Sequence, residues 1–351
     1  MQLTQDLKES SDMENNKKNR LLECEGLKVA FYMEGNKVVN AVNGVSYYVN
    51  RNEVVAVVGE SGCGKSVTQM STLQLIVPPG KIVEGNITFD GIELLKDGKT
   101  ATDMGKIRGN RISMIFQEPM TSLNPVFTVG KQLTDIIRTH KKMSKKEAWD
   151  LATRALDAVG IPDAASRMKN YPFEMSGGMR QRVLIALSVA CQTDLIIADE
   201  PTTALDVTVQ AQVMELLMKI KKENNSSIIV VTHNLGLVSR YADRIYVMYA
   251  GRVIESGTTE EILTDPLHPY TLGLLAAVPK IDDEDQEELV PIDGAPPSLS
   301  SLPDYCSFYP RCPYRTDVCK NNEIPSLVAK EGTEHYCACH RFADGGLSNG
   351  K

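Results

Sequence analysis

The sequence feature that most constrains this chain is a glycine-rich segment at residues 59–66, which reads GESGCGKS. It follows the apolar run 53–59 (EVVAVVG), which predicts a buried strand, and it precedes helical spacing. A phosphate loop needs this context, because its glycines let backbone N–H groups surround phosphate oxygens where a helix begins. A glycine-rich turn without a ligand is the alternative. The residues predicted to bind the nucleotide here are Gly59, Glu60, Ser61, Gly62, Cys63, Gly64, Lys65, Ser66 and Val67.

Side chains that could complete such a site occur at two places. Lys65 is expected to reach the β- and γ-phosphates, and the Ser66 hydroxyl is expected to ligate Mg²⁺. Asp199 and Glu200 follow the apolar run 195–198. Adjacent carboxylates at the tip of a buried strand make sense beside a metal–phosphate complex, because an unpaired buried carboxylate is costly. Asp199 is therefore predicted to hold Mg²⁺ and Glu200 to polarise the attacking water, with solvated loop acids as the alternative.

Short apolar runs alternate with helical segments along the middle of the chain. Leu195–Asp199 and Ser227–Thr232 are each followed by polar residues and then by helical spacing, and residues 131–168 contain few helix breakers. Buried strands that alternate with helices indicate an α/β fold with a parallel sheet. Nearer the N-terminus, residues 27–49 alternate and are rich in Val and Tyr, which predicts strands with a turn at Asn43-Gly44.

The composition excludes several classes of protein. The 351 residues are 42% hydrophobic and 24% charged, which is typical of a globular protein and not of a disordered or fibrous one. The formal net charge of −7 offers no basic field, so we expect no nucleic-acid partner. The apolar runs are far shorter than the ~20 residues of a membrane-spanning helix. Residues 1–20 are polar and lack a signal-peptide core, which predicts a flexible tail and a cytosolic chain.

A second glycine-containing segment separates this chain from kinases and GTPases with a phosphate loop. Residues 175–179 read MSGGM, and here the sequence resembles the ATP-binding subunits of ABC transporters, whose signature reads LSGGQ. Further matches follow in the family's order: Gln117 in MIFQEP, residues 204–206 (ALD) as the D-loop, and His233 in VVTHN. The resemblance implies a RecA-like α/β nucleotide-binding domain at residues 21–255, with a helical subdomain at about 119–188. It also implies a small Cys-rich C-terminal extension at residues 256–351.

The resemblance implies that two nucleotide-binding domains form a head-to-tail sandwich. The signature of one subunit then contacts the γ-phosphate held by the phosphate loop of the other. A helix that begins with Ser-Gly-Gly offers a hydroxyl and N–H groups to an anion, with a plain N-cap as the alternative. Met179 replaces the usual glutamine and Cys63 a serine, and neither change removes a side chain that touches phosphate in this scheme. The residues expected to act in trans are Ser176, Gly177, Gly178 and Met179.

Three further residues take their roles from the resemblance. Gln117 is expected to join the metal and water shell and to report the nucleotide state to the membrane subunits. His233 is expected to hydrogen-bond the γ-phosphate and to hold the attacking water with Glu200. Phe31 or Tyr32 occupies the place of the aromatic that stacks on adenine, and we favour Phe31. An ordinary strand-end histidine and strand-core aromatics are the alternatives. The implied catalytic residues are Glu200, His233 and Gln117, and the implied Mg²⁺ ligands are Ser66, Gln117 and Asp199.

Several segments narrow the resemblance to the importer ATPases of dipeptide and oligopeptide transporters: residues 116–125, 171–174, 267–271 and 292–297. This implies an ATP-hydrolysing motor at the cytoplasmic face of the cell membrane, with ATP and Mg²⁺ as cofactors. The implied partners are two membrane-spanning permease subunits, a second related ATPase subunit and, indirectly, an extracellular peptide-binding protein. A nickel or other small-solute importer is the alternative. A soluble ABC protein of translation or DNA repair is a third interpretation, but it predicts a second ATPase core, a long coiled-coil insertion or a basic face, and the sequence has none of these.

Eight cysteines are present, and five of them lie between residues 306 and 339. In a reducing cytosol such a group favours a metal or redox site over structural disulfides. Cys306, Cys312 and Cys319, followed by Cys339, resemble the [4Fe-4S] motif of many peptide-importer ATPases, which implies these four as cluster ligands. Cys337 is a fifth candidate. A tetrahedral Zn²⁺ site and unligated thiols are the alternatives.

Overall fold

The computed structural model describes residues 19–117, 122–202, 207–278 and 291–343. Most of the predicted N-terminal tail and the D-loop at residues 204–206 lie outside the described residues. The described strands are β1 (Arg20–Tyr32), β2 (Val38–Asn50), β3 (Val54–Val58), β4 (Gly80–Phe89), β5 (Ile92–Lys96), β6 (Lys99–Thr100), β7 (Ile112–Ile115), β8 (Leu195–Asp199), β9 (Ser227–Thr232), β10 (Arg244–Tyr249), β11 (Arg252–Thr258), β12 (Val328–Ala329) and β13 (Tyr336–Cys337). The described α-helices are α1 (Lys65–Thr72), α2 (Val129–His140), α3 (Lys145–Ala158), α4 (Ala164–Arg167), α5 (Gly177–Val189), α6 (Val207–Asn224), α7 (Leu235–Val238), α8 (Thr259–Thr264), α9 (Pro269–Ala276), α10 (Asp317–Asn321) and α11 (His340–Ala343). Short 3-10 helices occur at Glu34–Asn36, Met104–Lys106, Pro172–Glu174 and Tyr309–Arg311.

The larger of two sheets has a parallel centre. Its strand order is β12-β13-β11-β10-β3-β9-β8-β7, and the strands from β10 to β7 run parallel to one another. Strand β3 is buried on both faces, because Val54 and Val58 pack in one hydrophobic cluster and Val55 and Val57 pack in another. Burial on both faces explains the continuous apolar runs of the sequence. The predicted α/β fold is confirmed.

The smaller sheet is antiparallel, with the order β2-β1-β4-β5-β6. Its apolar side chains share a cluster with Val55 and Val57 of the larger sheet. The prediction of a turn at Asn43-Gly44 is wrong, because both residues lie inside β2 and the chain reverses at Glu34–Asn36. Gly44 has a φ of 81° and is the extra residue where the pairing of β2 with β1 shifts, so the glycine serves a β-bulge.

Helices α2 to α5 form a packed group that follows β7 in the chain. Leu133 and Ile137 of α2 lie in one buried cluster with Leu156 of α3 and Val183 of α5. Helices α2, α3 and α5 are each preceded by a hydroxyl side chain that accepts a hydrogen bond from a backbone N–H of the first turn. Among the described residues, none of the helices is both long enough and apolar enough to cross a membrane.

The C-terminal extension is joined to the larger sheet. Strand β13 pairs with β11, and β12 pairs with β13, so the extension adds two short strands to the core. The predicted domain boundary at residues 255–256 falls inside β11. Glu255 is fully buried there and accepts hydrogen bonds from the backbone N–H groups of Leu267 and His268 and from His335 Nε2, at 2.7, 2.9 and 2.8 Å. One buried carboxylate thus fastens two parts of the extension to the core.

Candidate functional site

The predicted site segments follow neighbouring strands of the larger sheet. The phosphate loop follows β3, His233 follows β9, Asp199 ends β8, and Gln117 comes shortly after β7. These four strands are consecutive in the sheet and parallel. Because the carboxyl ends of parallel strands meet at one edge, residues far apart in the chain are brought together there.

The phosphate loop has a backbone path that requires glycine at two positions. Gly59 has a φ of 152°, and a Cβ there would lie 2.2 Å from the carbonyl oxygen of Met248. Gly64 has a φ of 101°, and a Cβ there would lie 2.3 Å from the carbonyl oxygen of Ala41. The loop therefore turns tightly into α1, at whose N-terminus backbone N–H groups are available to an anion.

Lys65 lies against this loop. Its Nζ donates hydrogen bonds to the carbonyl oxygens of Gly59 and Glu60, at 2.8 and 3.0 Å, and the residue is 4% exposed. The thiol of Cys63 is 3.9 Å from the same Nζ, and burial raises the pKa of this thiol. The Cys63 side chain therefore stays neutral and does not offset the positive charge of Lys65.

Ser66 and Asp199 form the part of the site that suits a divalent cation. The Ser66 hydroxyl donates a hydrogen bond of 2.8 Å to Asp199 Oδ1, across 133 residues of sequence. Asp199 is 5% exposed, and burial raises the pKa of its carboxyl group. A hydroxyl and a carboxylate next to a phosphate loop are the oxygen ligands that Mg²⁺ prefers. These donors fit the predicted Mg²⁺ site.

Glu200 lies between the other two residues predicted to be catalytic. Its Oε2 accepts a hydrogen bond of 2.9 Å from Gln117 Nε2, and its Oε1 is 3.4 Å from His233 Nδ1. The Glu200 residue is 8% exposed, whereas the His233 side chain is 54% exposed. Glu200 also has a φ of 45°, a left-handed conformation that is uncommon for a residue with a side chain. The structure thus brings together all three residues.

A cavity of about 370 Å³ opens beside these groups. Phe31 lies on its wall, and Tyr32 is not among the lining residues but is 50% exposed. Apolar residues that the sequence analysis missed also line it, namely Val39, Ala41 and Leu299. The alternating pattern of β2 could have pointed to the first two, but no local signal marks Leu299. The predicted residues on the wall are Phe31, Ser61, Gly62, Gly64, Lys65, Ser66, Val67, Gln117 and Glu200.

The signature segment lies apart from this cavity, since none of its residues is among the described residues that line the wall. Ser176 is the N-cap of α5, and its Oγ accepts a hydrogen bond of 3.3 Å from the backbone N–H of Met179. Ser176 and Gly177 are exposed, and a Cβ on Gly177 would meet no atom within 4 Å. The chain therefore presents a second, open helix N-terminus that is separate from its own phosphate loop.

The cysteines of the extension occupy one region. Burial first, and then the neighbouring thiols of Cys306, Cys339 and Cys319, raise the pKa of Cys312 to about 11. Burial together with Cys339 and Cys319 raises the pKa of Cys306 to about 11. Cys337 lies in β13, where burial and the Glu255 carboxylate raise its pKa. The four thiols implied as cluster ligands thus lie within electrostatic reach of one another. Among the described residues, no three His, Cys, Asp or Glu side chains are arranged to hold a single metal ion.

Two sequence families match the chain. One, described as "ABC transporter", matches residues 42–203, and the other, described as "Oligopeptide/dipeptide transporter, C-terminal region", matches residues 254–319. The oligopeptide transport ATP-binding protein AppD of Bacillus subtilis is 48% identical, over 90% of this chain and 96% of that protein. The oligopeptide transport ATP-binding protein OppD of Salmonella typhimurium is 47% identical, over 91% and 93%. The dipeptide transport ATP-binding protein DppD of Bacillus subtilis is 50% identical, over 86% and 89%.

Solved structures show the same architecture. A dimeric ATP-binding cassette in a post-hydrolysis state, bound to ADP and Pi, superposes with a TM-score of 0.60 at 26% identity, over 68% of this chain and 98% of that one. A component of the cbiONQ ABC transporter complex of Clostridium perfringens superposes with a TM-score of 0.59 at 27% identity, over 70% and 92%.

Proposed function

Because this chain belongs to the ATP-binding proteins of ABC transporters, in the oligopeptide/dipeptide branch, we propose that it is the ATP-hydrolysing motor subunit of a peptide importer. Its family and branch are those that the sequence motifs predicted. The observation that carries the proposal is the arrangement of Glu200 between Gln117 and His233, next to the Ser66–Asp199 pair. This arrangement supplies what hydrolysis of a bound nucleoside triphosphate needs.

Each residue has a role that its position supports. The N–H groups of the phosphate loop and Lys65 hold the phosphates of ATP. Ser66, Asp199 and Gln117 would hold Mg²⁺, which would neutralise the developing charge on the phosphates. Glu200 polarises the attacking water. His233 lies next to Oε1 of Glu200, whereas Gln117 bonds Oε2, and from this position His233 helps to orient the same water. Phe31 forms the apolar wall on which the adenine stacks.

The active form that we propose is a sandwich of two ATPase subunits, with this chain paired to a related one. The exposed N-terminus of α5 supports the proposal, because Ser176 and Gly177 are exposed and the helix begins there with N–H groups that an anion could reach, away from the chain's own phosphate loop. The cassette of similar fold bound to ADP and Pi is dimeric. ATP then closes the pair and hydrolysis reopens it, as a population shift driven by contacts that only ATP makes in the closed form.

Two permease subunits are the proposed membrane partners, at the cytoplasmic face. A groove of about 330 Å³ lies between the core and the α2–α5 group, and its lining includes Phe116, Ile136 and Leu184. Phe116, directly before Gln117, is 39% exposed. A permease helix seated there would contact the segment that positions Gln117 against Glu200, and so would sense the nucleotide. An extracellular peptide-binding protein supplies the cargo in this proposal.

We also propose that Cys306, Cys312, Cys319 and Cys339 hold a [4Fe-4S] cluster. The proposal is supported by the mutual electrostatic neighbourhood of the four thiols, because a cuboidal cluster needs four thiolates in one place. A Zn²⁺ ion, which cysteine thiolates can also bind, is the alternative. The cluster would cross-link loops that have little regular structure. Iron, sulfide and zinc analysis of anaerobically purified protein tests this, with Cys312→Ser expected to lower stability and Cys191→Ser as the control.

Reconstitution tests the proposed function. The chain is assembled in proteoliposomes with candidate permeases, a second ATPase and a binding protein from the same organism, and uptake of labelled di- and oligopeptides and of nickel is measured. We expect ATP-dependent peptide uptake that Glu200→Gln abolishes. Uptake of nickel without uptake of peptide would assign the chain to the small-solute alternative, and hydrolysis unaffected by any of these partners would overturn the importer function.

A further inference from the structure

The C-terminal extension reaches the nucleotide cavity. Leu299 lies on the wall of that cavity, about a hundred residues beyond the signature helix α5 in the chain. Together with Pro296 and Pro297 it also lines an adjoining cavity of about 190 Å³ against the phosphate loop. Leu299 packs against the main hydrophobic cluster, so it has a fixed position. The extension therefore contributes a wall to a site otherwise built by the core.

An ion pair fixes the extension to the phosphate loop itself. Arg311 Nη1 donates to Glu60 Oε2 at 2.6 Å, and Arg311 Nη2 donates to Glu60 Oε1 at 2.9 Å. The Arg311 side chain is only 5% exposed and that of Glu60 is 26% exposed. A bidentate ion pair that is shielded from water is stronger and more directional than an ordinary surface ion pair. The hydrogen bonds that Arg311 donates to Glu60 are the main reason that the pKa of Arg311 is raised.

Arg311 is held in this pose by its own side of the interface. Its Nε donates to the carbonyl oxygen of Asp293 at 3.0 Å, and its Nη2 also donates to that of Ile292 at 3.2 Å. The guanidinium carbon lies 5.9 Å from the centre of the Tyr249 ring. Arg311 thus donates hydrogen bonds both to residues 292–293 of the extension and to Glu60 of the phosphate loop. A shift of the extension would therefore move the Glu60 side chain.

A second connection runs from Glu60 to the cysteine region. The backbone N–H of Glu60 donates a hydrogen bond of 2.9 Å to the hydroxyl of Tyr270, which is fully buried. The Tyr270 ring lies 5.5 Å from the ring of Phe308, at an angle of 68°. Phe308 follows Cys306 by two residues, and Arg311 directly precedes Cys312. Both the side chain and the backbone of Glu60 are thus connected to residues beside the proposed cluster ligands.

We propose that the C-terminal extension is a working part of the nucleotide site in the same chain, with Arg311 as a positioning residue that sets the phosphate loop through Glu60, and Leu299 as a wall residue. This inference rests on the proposed function in one respect, which is that the bound nucleotide is ATP. Coupling of this kind is reciprocal, so an ordered extension strengthens ATP binding and bound ATP stabilises the extension by the same factor. The cysteine region then responds to the nucleotide state of the motor.

Nucleotide affinity of the full-length chain is the first test, with a fluorescent ATP analogue and Mg²⁺. Arg311→Met should weaken binding about tenfold, the size expected from losing a shielded charged hydrogen-bond pair. Arg315→Met is the matched control, because Arg315 belongs to the same extension and its Nη1 donates to the Pro310 carbonyl oxygen at 3.2 Å instead of to the phosphate loop. The Glu60→Gln/Arg311→Met double variant should bind no more weakly than Arg311→Met, because the two residues act through each other.

Hydrogen–deuterium exchange is the second test, and it depends neither on turnover nor on whether the cysteines hold a cluster. Exchange of the backbone amides of residues 306–319 is followed by mass spectrometry with and without Mg-ATP. We expect Mg-ATP to slow this exchange in the wild type and to have no effect on it in Arg311→Met, and exchange that Mg-ATP leaves unchanged in the wild type would contradict the inference. This loss of coupling is a readout that a purely structural role for Arg311 would leave unchanged.

Failure of this inference can be distinguished from failure of the proposed function. If Arg311→Met does not fold, Leu299→Ala replaces it, with about threefold weaker ATP binding expected from the lost apolar contact. Wild-type affinity in both variants, additive effects in the double variant, or equal losses in Arg315→Met would each overturn the inference while leaving the motor function intact. A wild-type chain that bound no ATP would instead overturn the proposed function.

Discussion

The carboxylate of Glu200 accepts a hydrogen bond of 2.9 Å from the side-chain amide of Gln117, although the two residues are 83 positions apart. Gln117 comes shortly after β7 and Glu200 directly after β8, and these strands are parallel neighbours. Gln117 also stands where the chain leaves the core for the α2–α5 group. We therefore expect a movement of that group to act on Glu200 through Gln117, which would connect the proposed permease groove to hydrolysis.

His233→Ala should lower the ATPase rate by about 100-fold or more, the usual loss for a group that positions a reacting water. ATP affinity should fall much less than the rate, because the phosphate loop and Lys65 remain and His233 is not among the described residues that line the nucleotide cavity. Steady-state hydrolysis and nucleotide binding, measured on the same preparation, separate the two effects. A large loss of affinity with unchanged turnover would contradict the assigned role.

Asp199→Asn should stabilise the nucleotide-free protein and abolish its stabilisation by Mg-ATP. Burial raises the pKa of Asp199, so its negative charge destabilises the folded state at neutral pH, and stability from this group increases as pH falls through the raised pKa. Removing the charge should raise Tm by about 2 °C. Mg²⁺ affinity has the opposite dependence and weakens as pH falls, because the proton competes with the metal. Thermal melts with and without Mg-ATP measure both effects.

Ser176→Ala and Ser144→Ala form a matched pair, since both serines are N-caps that accept a hydrogen bond from the third residue of their helix. Each substitution should cost about 1 kcal/mol of stability. Only Ser176→Ala should also slow hydrolysis in the assembled transporter, because only Ser176 is proposed to contact ATP across the dimer interface. Equal ATPase rates in the two variants would remove the argument for a trans role.

His268 makes stability depend on pH. Burial lowers the pKa of His268 from 6.5 to about 4, and its Nδ1 accepts a hydrogen bond of 3.0 Å from the backbone N–H of Tyr270. The unfolded chain takes up the proton first, so the free energy of unfolding should fall as pH drops from about 6.5 to about 4, by roughly 1.4 kcal/mol per pH unit. Urea unfolding at several pH values measures this, and His268→Asn, which keeps an N-cap acceptor, should reduce the slope.

The sequence was most informative at buried strands and at the segments that follow them, where the residue types are unusual. Ser227–Thr232 was predicted with the bounds that the structure has, because a strand buried on both faces has a continuous apolar run. Gly59–Ser66 and the acids at the end of β8 were recognisable for a similar reason, since few structures other than a phosphate site need them.

Contacts over long sequence distances could not be predicted in this way. Arg311 and Glu60 are 251 residues apart, and the sequence around each residue contains nothing that identifies the other as its partner. The two short strands of the extension, β12 and β13, join the sheet by backbone pairing, which leaves almost no signal in two-residue segments. Asn43-Gly44 was misassigned because the same dipeptide suits both a hairpin turn and a bulge, and only the register of β1 with β2 decides between them.

The most direct test of the central claim, that this chain cleaves ATP with Glu200 inside a closed pair of subunits, uses Glu200→Gln. The variant is mixed with the second ATPase subunit and Mg-ATP, and association and phosphate release are measured together. We predict a stable, ATP-dependent pair with hydrolysis reduced by at least about 100-fold. Wild-type phosphate release, or subunits that stay apart with ATP bound, would contradict the account.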